Sequence, residues 1–224
     1  MKKIIYAFLL LVAISSCKKN LIDGGVHSAN VNKTTLDFLK TQTKFDTVLI
    51  LFDKAGLLDQ LNKPNTTVFI PTDYSVHHFV LQIRAQLRQE QNDENLQYTF
   101  SDLLNNFSTY KDSMKMYIVN QRITRQELTA TDKIYTKSLL GNDVEIALTS
   151  TMLYTEWLPN LDPKLVHYKW VKNGLDPEDN SATPAEDKDV DNICQTSGIL
   201  TTTGVIHVLE DTHNLFYNKR QLQN

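Results

Sequence analysis

The sequence predicts an α+β fold, and three observations carry that prediction. In the first half, apolar residues recur at three- and four-residue intervals over long stretches, which is helical spacing. In the second half they alternate or run in short β-branched blocks, and Gly141-Asn142 sits between two such blocks where a hairpin turn belongs. Helices gathered ahead of strands argue against alternating βαβ units.

The elements follow in order. From Leu36 onward Phe45, Val48, Leu49 and Phe52 share a helical face, and Gly56 and Pro64 punctuate the end of this region. Thr66-Thr67-Val68-Phe69-Ile70 is β-branched and too short for a helix, and Pro71 stops it, so it reads as a buried strand. Asp73 is placed to cap a second helix striped by Val76, Phe79, Val80, Ile83 and Leu87, which runs into the polar stretch Gln89 to Gln97. Ser101 reads as the N-cap of a third helix facing Leu103, Leu104 and Phe107 inward, and Met116-Tyr117-Ile118-Val119 as a strand. Ile134 to Leu139 and Val144 to Leu148 flank the turn at Gly141, and Gly204 to Leu209 is a short, nearly continuous apolar run, as in a strand covered on both faces.

Ahead of this domain stand Lys2-Lys3, the apolar run Ile4 to Ile14 and Ser15-Ser16-Cys17. The run matches the core of an export signal and is well short of the ~20 residues a membrane-spanning helix needs. Ala13-Ile14-Ser15-Ser16-Cys17 resembles the lipobox of bacterial lipoproteins. That resemblance implies removal of residues 1–16, acylation of Cys17 (a palmitate-type lipid) and anchoring at the cell envelope, most naturally the outer membrane. Residues 17–33, polar and carrying Gly24-Gly25, then read as a flexible tether, 34–217 as one domain and 218–224 as a tail.

Cleavage removes two of the 23 Lys and Arg, leaving 21 against 26 Asp and Glu, a charge of −5 that offers no basic surface to nucleic acid. Once Cys17 is lipidated, Cys194 has no partner for an internal disulfide and reads as a small buried hydrophobe. The local signatures of hydrolases, metalloproteases, redox enzymes and nucleotide binders are absent, so no enzyme and no cofactor are expected.

Two stretches become recognisable together: Thr67-Val68-Phe69-Ile70-Pro71-Thr72-Asp73 and Thr203-Gly204-Val205-Ile206-His207-Val208-Leu209. They resemble the two signature segments of fasciclin domains. Thr35 to Leu39, Ala55 to Leu58 and the hairpin Leu140 to Ile146 fit the same pattern. The resemblance implies a wedge-shaped β-sandwich with helices packed along one side. It makes Thr67, Pro71, Thr72, Asp73, Gly204 and His207 structural motif residues, and it implies non-catalytic adhesion or contact with a surface protein, matrix component or glycan. Tyr117-Ile118 stands where many members have Tyr-His, and the stretch of about 150–195 reads as an insertion.

Four local patterns remain to be weighed as sites. Tyr154, Trp157, Tyr168 and Trp170 concentrate both tryptophans in that insertion. Alternation in Leu165 to Trp170 puts Val166, Tyr168 and Trp170 on one face, which either covers the domain or stacks on a sugar or protein partner. The glycan reading makes the chain an accessory lipoprotein of an outer-membrane polysaccharide-uptake complex. Asp187, Asp189 and Asp191 have the alternate spacing of calcium loops, but Asn192 and Gly198 replace the glycine and glutamate an EF-hand requires, leaving a looser calcium site or a solvated acidic loop. His77-His78 point about 100° apart on a helix and are poor joint metal ligands. His207 reads as a hydrogen-bonded core histidine near Thr72-Asp73.

Overall fold

The first helical region is not one rod. Thr34 caps α1 (Thr35–Leu39), a 3₁₀ turn covers Thr43–Phe45, and α2 (Asp46–Lys54) and α3 (Leu58–Leu61) follow, broken at Gly56, whose φ of 71° ends the helix in the left-handed region. The computed structural model describes residues 29–131, 133–151, 163–177 and 181–218. Residues 1–28, on which the expected export signal and Cys17 fall, lie outside these, as do Tyr154 and Trp157. Strand β1 (Thr66–Ile70) is buried along its whole length and passes through buried Pro71 into α4 (Asp73–Gln91). Asn92, at φ 50°, closes that helix in the left-handed conformation asparagine tolerates.

Helix α5 (Phe100–Asn105) starts two residues earlier than a cap at Ser101 would place it. Its cap is Thr99, because the Asp102 carboxylate at the third helical position accepts from the Thr99 N–H and completes a capping box. The expected strand at 116–119 shrinks to β2 (Ile118–Val119): a 3₁₀ segment, Asp112–Tyr117, takes up the rest. Next come α6 (Arg125–Thr131), which the periodicity does not announce, and then β3 (Lys133–Lys137), β4 (Asp143–Ser150), β5 (Lys164–Trp170), β6 (Val190–Leu200) and β7 (Gly204–Leu209). The stretch from 150 to 195 thus supplies β5 and the start of β6, both interior strands.

The strands form one seven-stranded mixed sheet in the order β2-β1-β7-β6-β5-β4-β3, with β1 and β7 parallel and the other neighbours antiparallel. The class is α+β, as expected. The sheet is strongly curled. Phe69 on β1 and Tyr168 on β5 lie three strand steps apart, roughly 14 Å in a flat sheet, yet their rings stack with centroids 4.0 Å apart. Strands β1 and β5 therefore face each other across the core, as in a sandwich. Register irregularities in β6 between Cys194 and Ile199 supply part of this bend, since an extra unpaired residue increases local twist.

Helices fill the remaining core. Phe45, Val48, Leu51 and Phe52 are buried from the α2 side, and Val76, Phe79, Val80 and Ile83 from α4. Phe79 meets the Tyr110 and Phe216 rings edge-on, and those two rings stack on each other at 5.1 Å.

Candidate contact surface

The fasciclin-like motif residues act on backbone, not on a ligand. Thr67 Oγ1 donates to the Gln121 carbonyl (2.7 Å) and accepts from the Ile123 N–H (2.9 Å). The His207 Nε2–H, one strand over, donates to the Ile123 carbonyl at 3.1 Å. Two side chains thus clamp the segment leading from β2 to α6. His207 is a core histidine as expected, but its partner is Ile123 rather than the Thr72-Asp73 corner. With Nε2 holding the proton, Nδ1 has no hydrogen-bond partner among the described residues. Burial, helped by the nearby Arg125 charge, pushes the imidazole pKa down to about 4, so the ring is neutral and stacks on Phe69.

Thr72 Oγ1 donates to Asp211 (2.7 Å), tying the end of β1 to the turn after β7. Asp73 does not use its side chain on its own helix, whose N-cap is Thr72. Its carboxylate accepts from the N–H groups of Thr47 (2.9 Å) and Val48 (3.0 Å), capping α2 across space. Gly204 is required by contact: a Cβ there would lie 2.1 Å from the Thr66 carbonyl oxygen.

Sequence reasoning missed a buried polar chain. His213 Nδ1–H donates to Asn192 Oδ1 (2.7 Å), Tyr117 O–H donates to His213 Nε2 (2.9 Å), and the Phe216 N–H donates to the Tyr117 oxygen (2.8 Å). Phe216 sits at φ 58°, a left-handed conformation costly for a bulky residue, and this chain holds it there. Burial pushes the His213 pKa down to about 3 and drives the Tyr117 and Tyr168 hydroxyls upward, so the chain stays uncharged near neutral pH. No local pattern marks it; Tyr117 and His213 are 96 residues apart.

The β5 candidates divide. Val166 and Tyr168 face inward, with Tyr168 stacked on Phe69 and its hydroxyl donating to the Met116 carbonyl; Tyr168 is 1% exposed. A ring in that position touches no partner, which removes Tyr168 from the candidate contact residues and leaves it covering the core. Trp170 is half-buried, with Lys172 Nζ 5.5 Å from the ring centroid. Cys194 is buried, and burial pushes its thiol pKa up, away from thiolate chemistry.

The opposite face of the sheet is a lattice of charge. Register aligns Tyr135, Glu145, Lys169 and Asp191 across β3 to β6. Lys169 donates to Glu145 at 2.8 Å and His167 Nδ1 lies 2.7 Å from Asp191. Burial works to raise the Glu145 carboxyl, but hydrogen bonds from Lys169 and Tyr135 outweigh it and hold the group below the usual carboxylate range.

The acidic stretch is equally engaged. Asp187 accepts from Asn173, and Asp189 accepts from the Lys172 and Asp176 N–H groups. Asp191 is the partner of His167, so the three carboxylates are held by separate donors rather than aimed at one point. Among the described residues no group of three His, Cys, Asp or Glu is arranged to hold a metal ion, and no helix is long and apolar enough to cross a membrane. His77 and His78 are exposed on α4.

Comparison with known proteins found three things. A search of the curated proteins found no match. Among solved structures, the chain is similar to a FAS1 domain pair from the insect cell adhesion molecule fasciclin I, at 7% identity and a TM-score of 0.42. The match covers 81% of this chain and 46% of that one, so the chain spans less than half of that structure's length. The family model of the Fasciclin domain matches residues 43–169, more than half of the 224 residues. The chain therefore belongs to the fasciclin domain family, which is associated with cell adhesion.

Proposed function

We propose that this protein is a lipid-anchored cell-envelope lipoprotein whose fasciclin domain works by non-catalytic contact with a surface protein, matrix component or glycan. Cys17 carries the lipid, residues 17–33 are the tether, and the outer membrane is the site. The observation that carries the reading is the family match, joined to what the site geometry does with its chemistry. The groups with the largest pKa shifts, His207, His213, Tyr117, Tyr168 and Cys194, are buried and serve the core. On the outward face of the sheet Lys169 pairs with Glu145 and His167 with Asp191.

Fractionation tests the anchoring half. The intact chain is expected in the membrane pellet and in the detergent phase, and Cys17→Ala in the soluble fraction; a Cys17→Ala protein still wholly membrane-bound would contradict it. Protease shaving of intact cells then distinguishes a domain facing outward from one facing the periplasm.

A further inference from the structure

Strand β3 is one end of the sheet, and its other neighbour is missing: its residues make backbone hydrogen bonds to β4 and, among the described residues, to nothing on the far side. The opposite end, β2, is only two residues long. An open five-residue edge normally carries a device against uncontrolled pairing. Here that device is charge, with Lys133 and Lys137 at the two ends and both exposed.

The centre of the edge is apolar instead. Tyr135 is 53% exposed and Leu175, on the loop after β5, is 46% exposed. Both line a shallow hollow of about 310 Å³ whose other walls include Thr136, Val144 and Val171. The edge thus presents one face reading cation, aromatic, cation at alternate positions, with an apolar hollow beside the aromatic.

We propose that this edge is a docking site for an extended segment of a partner protein, added to the sheet as an eighth strand, with acidic residues opposite Lys133 and Lys137 and an apolar residue between them reaching the Tyr135 hollow. Main-chain bonds supply affinity and the alternate side chains supply selectivity. Charge selects the occupant. A second copy of this chain pairing through its own β3, antiparallel and centred on Tyr135, sets Lys133 against Lys137 twice, and like charges directly opposite destabilise a strand pair. An acidic strand turns the same positions into attractions. Lys137 is available for it: its existing pair with Asp143 is solvent-exposed on both sides, the class of ion pair worth little. Lys133 Nζ stands 6.0 Å from the Tyr135 ring, on the face the partner would share. The inference deepens the contact reading by naming the partner's form.

The test uses the full chain and the synthetic peptide acetyl-Glu-Thr-Val-Thr-Glu-amide, read by residue-resolved amide hydrogen exchange and by titration. The expected result is saturable binding below about 1 mM, with alternate β3 amides exchanging at least ~10-fold more slowly. The same peptide with both Glu replaced by Lys is expected to bind at least ~10-fold more weakly, and the Lys133→Glu, Lys137→Glu double variant to invert that preference. N-methylation of alternate peptide amides should abolish binding, because it removes the ladder without touching the side chains. No β3 protection at about 5 mM peptide, equal binding of the Lys peptide, or equal binding of the N-methylated one would each overturn the proposal. Such a failure leaves contact through another face standing, whereas failure of the cell assays would remove the contact reading whatever the peptide does.

Discussion

Replacing Gly204 by alanine adds a single methyl group at the start of β7, and the structure says where it goes. The new Cβ meets the Thr66 carbonyl oxygen at 2.1 Å and the Thr66 carbonyl carbon at 3.1 Å, where ordinary contact begins near 3.4 Å. Something must move by more than an ångström, and the obstacle is backbone, not the tip of a flexible side chain. Thr66 and Gly204 are the first pair of the parallel β1–β7 ladder, so retreat opens the centre of the sheet. It also pulls on the turn, where the Gly204 N–H donates to Thr201 Oγ1 at 2.8 Å and Thr35 Oγ1 lies 2.8 Å from the same hydroxyl. Overpacking costs about 1–3 kcal/mol and each weakened hydrogen bond about 1 kcal/mol, so Gly204→Ala should cost about 3–5 kcal/mol. At about 2–4 °C per kcal/mol for a domain of this size, Tm should fall by roughly 6–20 °C. Urea unfolding of the full chain, followed by tryptophan fluorescence, measures this directly. Gly56→Ala is the comparison: nothing lies within 4 Å of its Cβ, and only the positive φ is strained, for about 1–2 kcal/mol. A Gly204→Ala loss below about 1 kcal/mol, or one equal to that of Gly56→Ala, would refute the close-contact reasoning.

Three other outcomes are expected. His207 and His213 have folded pKa values lowered from 6.5 to about 4 and about 3, so the unfolded chain binds protons first. Stability should be full above about pH 6.5 and fall as pH drops, by ~2–3 kcal/mol per histidine at pH 4.5, and urea midpoints that stay flat from pH 7 to 4.5 would contradict the burial of neutral rings. Tyr117→Phe strands His213 Nε2 and the Phe216 N–H, and should cost about 2–4 kcal/mol by thermal melting, with hydrogen exchange rising first around residue 216. Asp73→Ala frees the Thr47 and Val48 N–H groups and should cost about 1–2 kcal/mol, with exchange accelerating at α2 rather than at the start of α4; the reverse pattern would show that Asp73 serves its own helix.

The elements most legible in the sequence were those whose burial leaves a local trace. β1 and β7 are buried at every position, so their apolar residues run on without alternation, broken only by Thr66 and Thr67 at the start of β1 and by His207 in β7, and the 76–79–80–83 stripe of α4 is the face it buries. Helix α6 left a different trace: Thr124 and Glu127 form reciprocal bonds at its start, a threonine-x-x-glutamate pattern visible in the chain, but Leu128 is its one buried apolar residue among those described, too few to make a stripe. Met116 and Tyr117 are as buried as strand residues and turned out to be 3₁₀, because a short apolar run does not distinguish the two.

The candidate site was legible only by half. Alternation grouped Val166, Tyr168 and Trp170 on one face. That this face points inward depends on Phe69 and Met116, brought to Tyr168 by the curl of the sheet. Spacing of Asp187, Asp189 and Asp191 is equally mute about the donors that hold them, which come from residues 172 to 176 and from His167.

If the domain acts by contact while lipid holds it at the envelope, as proposed, attachment of living cells measures this most directly. Cells carrying the intact chain, cells lacking it and cells making Cys17→Ala are to be compared for retention on a defined surface of matrix protein or polysaccharide under flow. Retention is expected to require the chain, and Cys17→Ala to fall to the level of cells without it, although the released protein is folded by circular dichroism. Retention that is unchanged when the chain is removed, or fully preserved in Cys17→Ala, would contradict it.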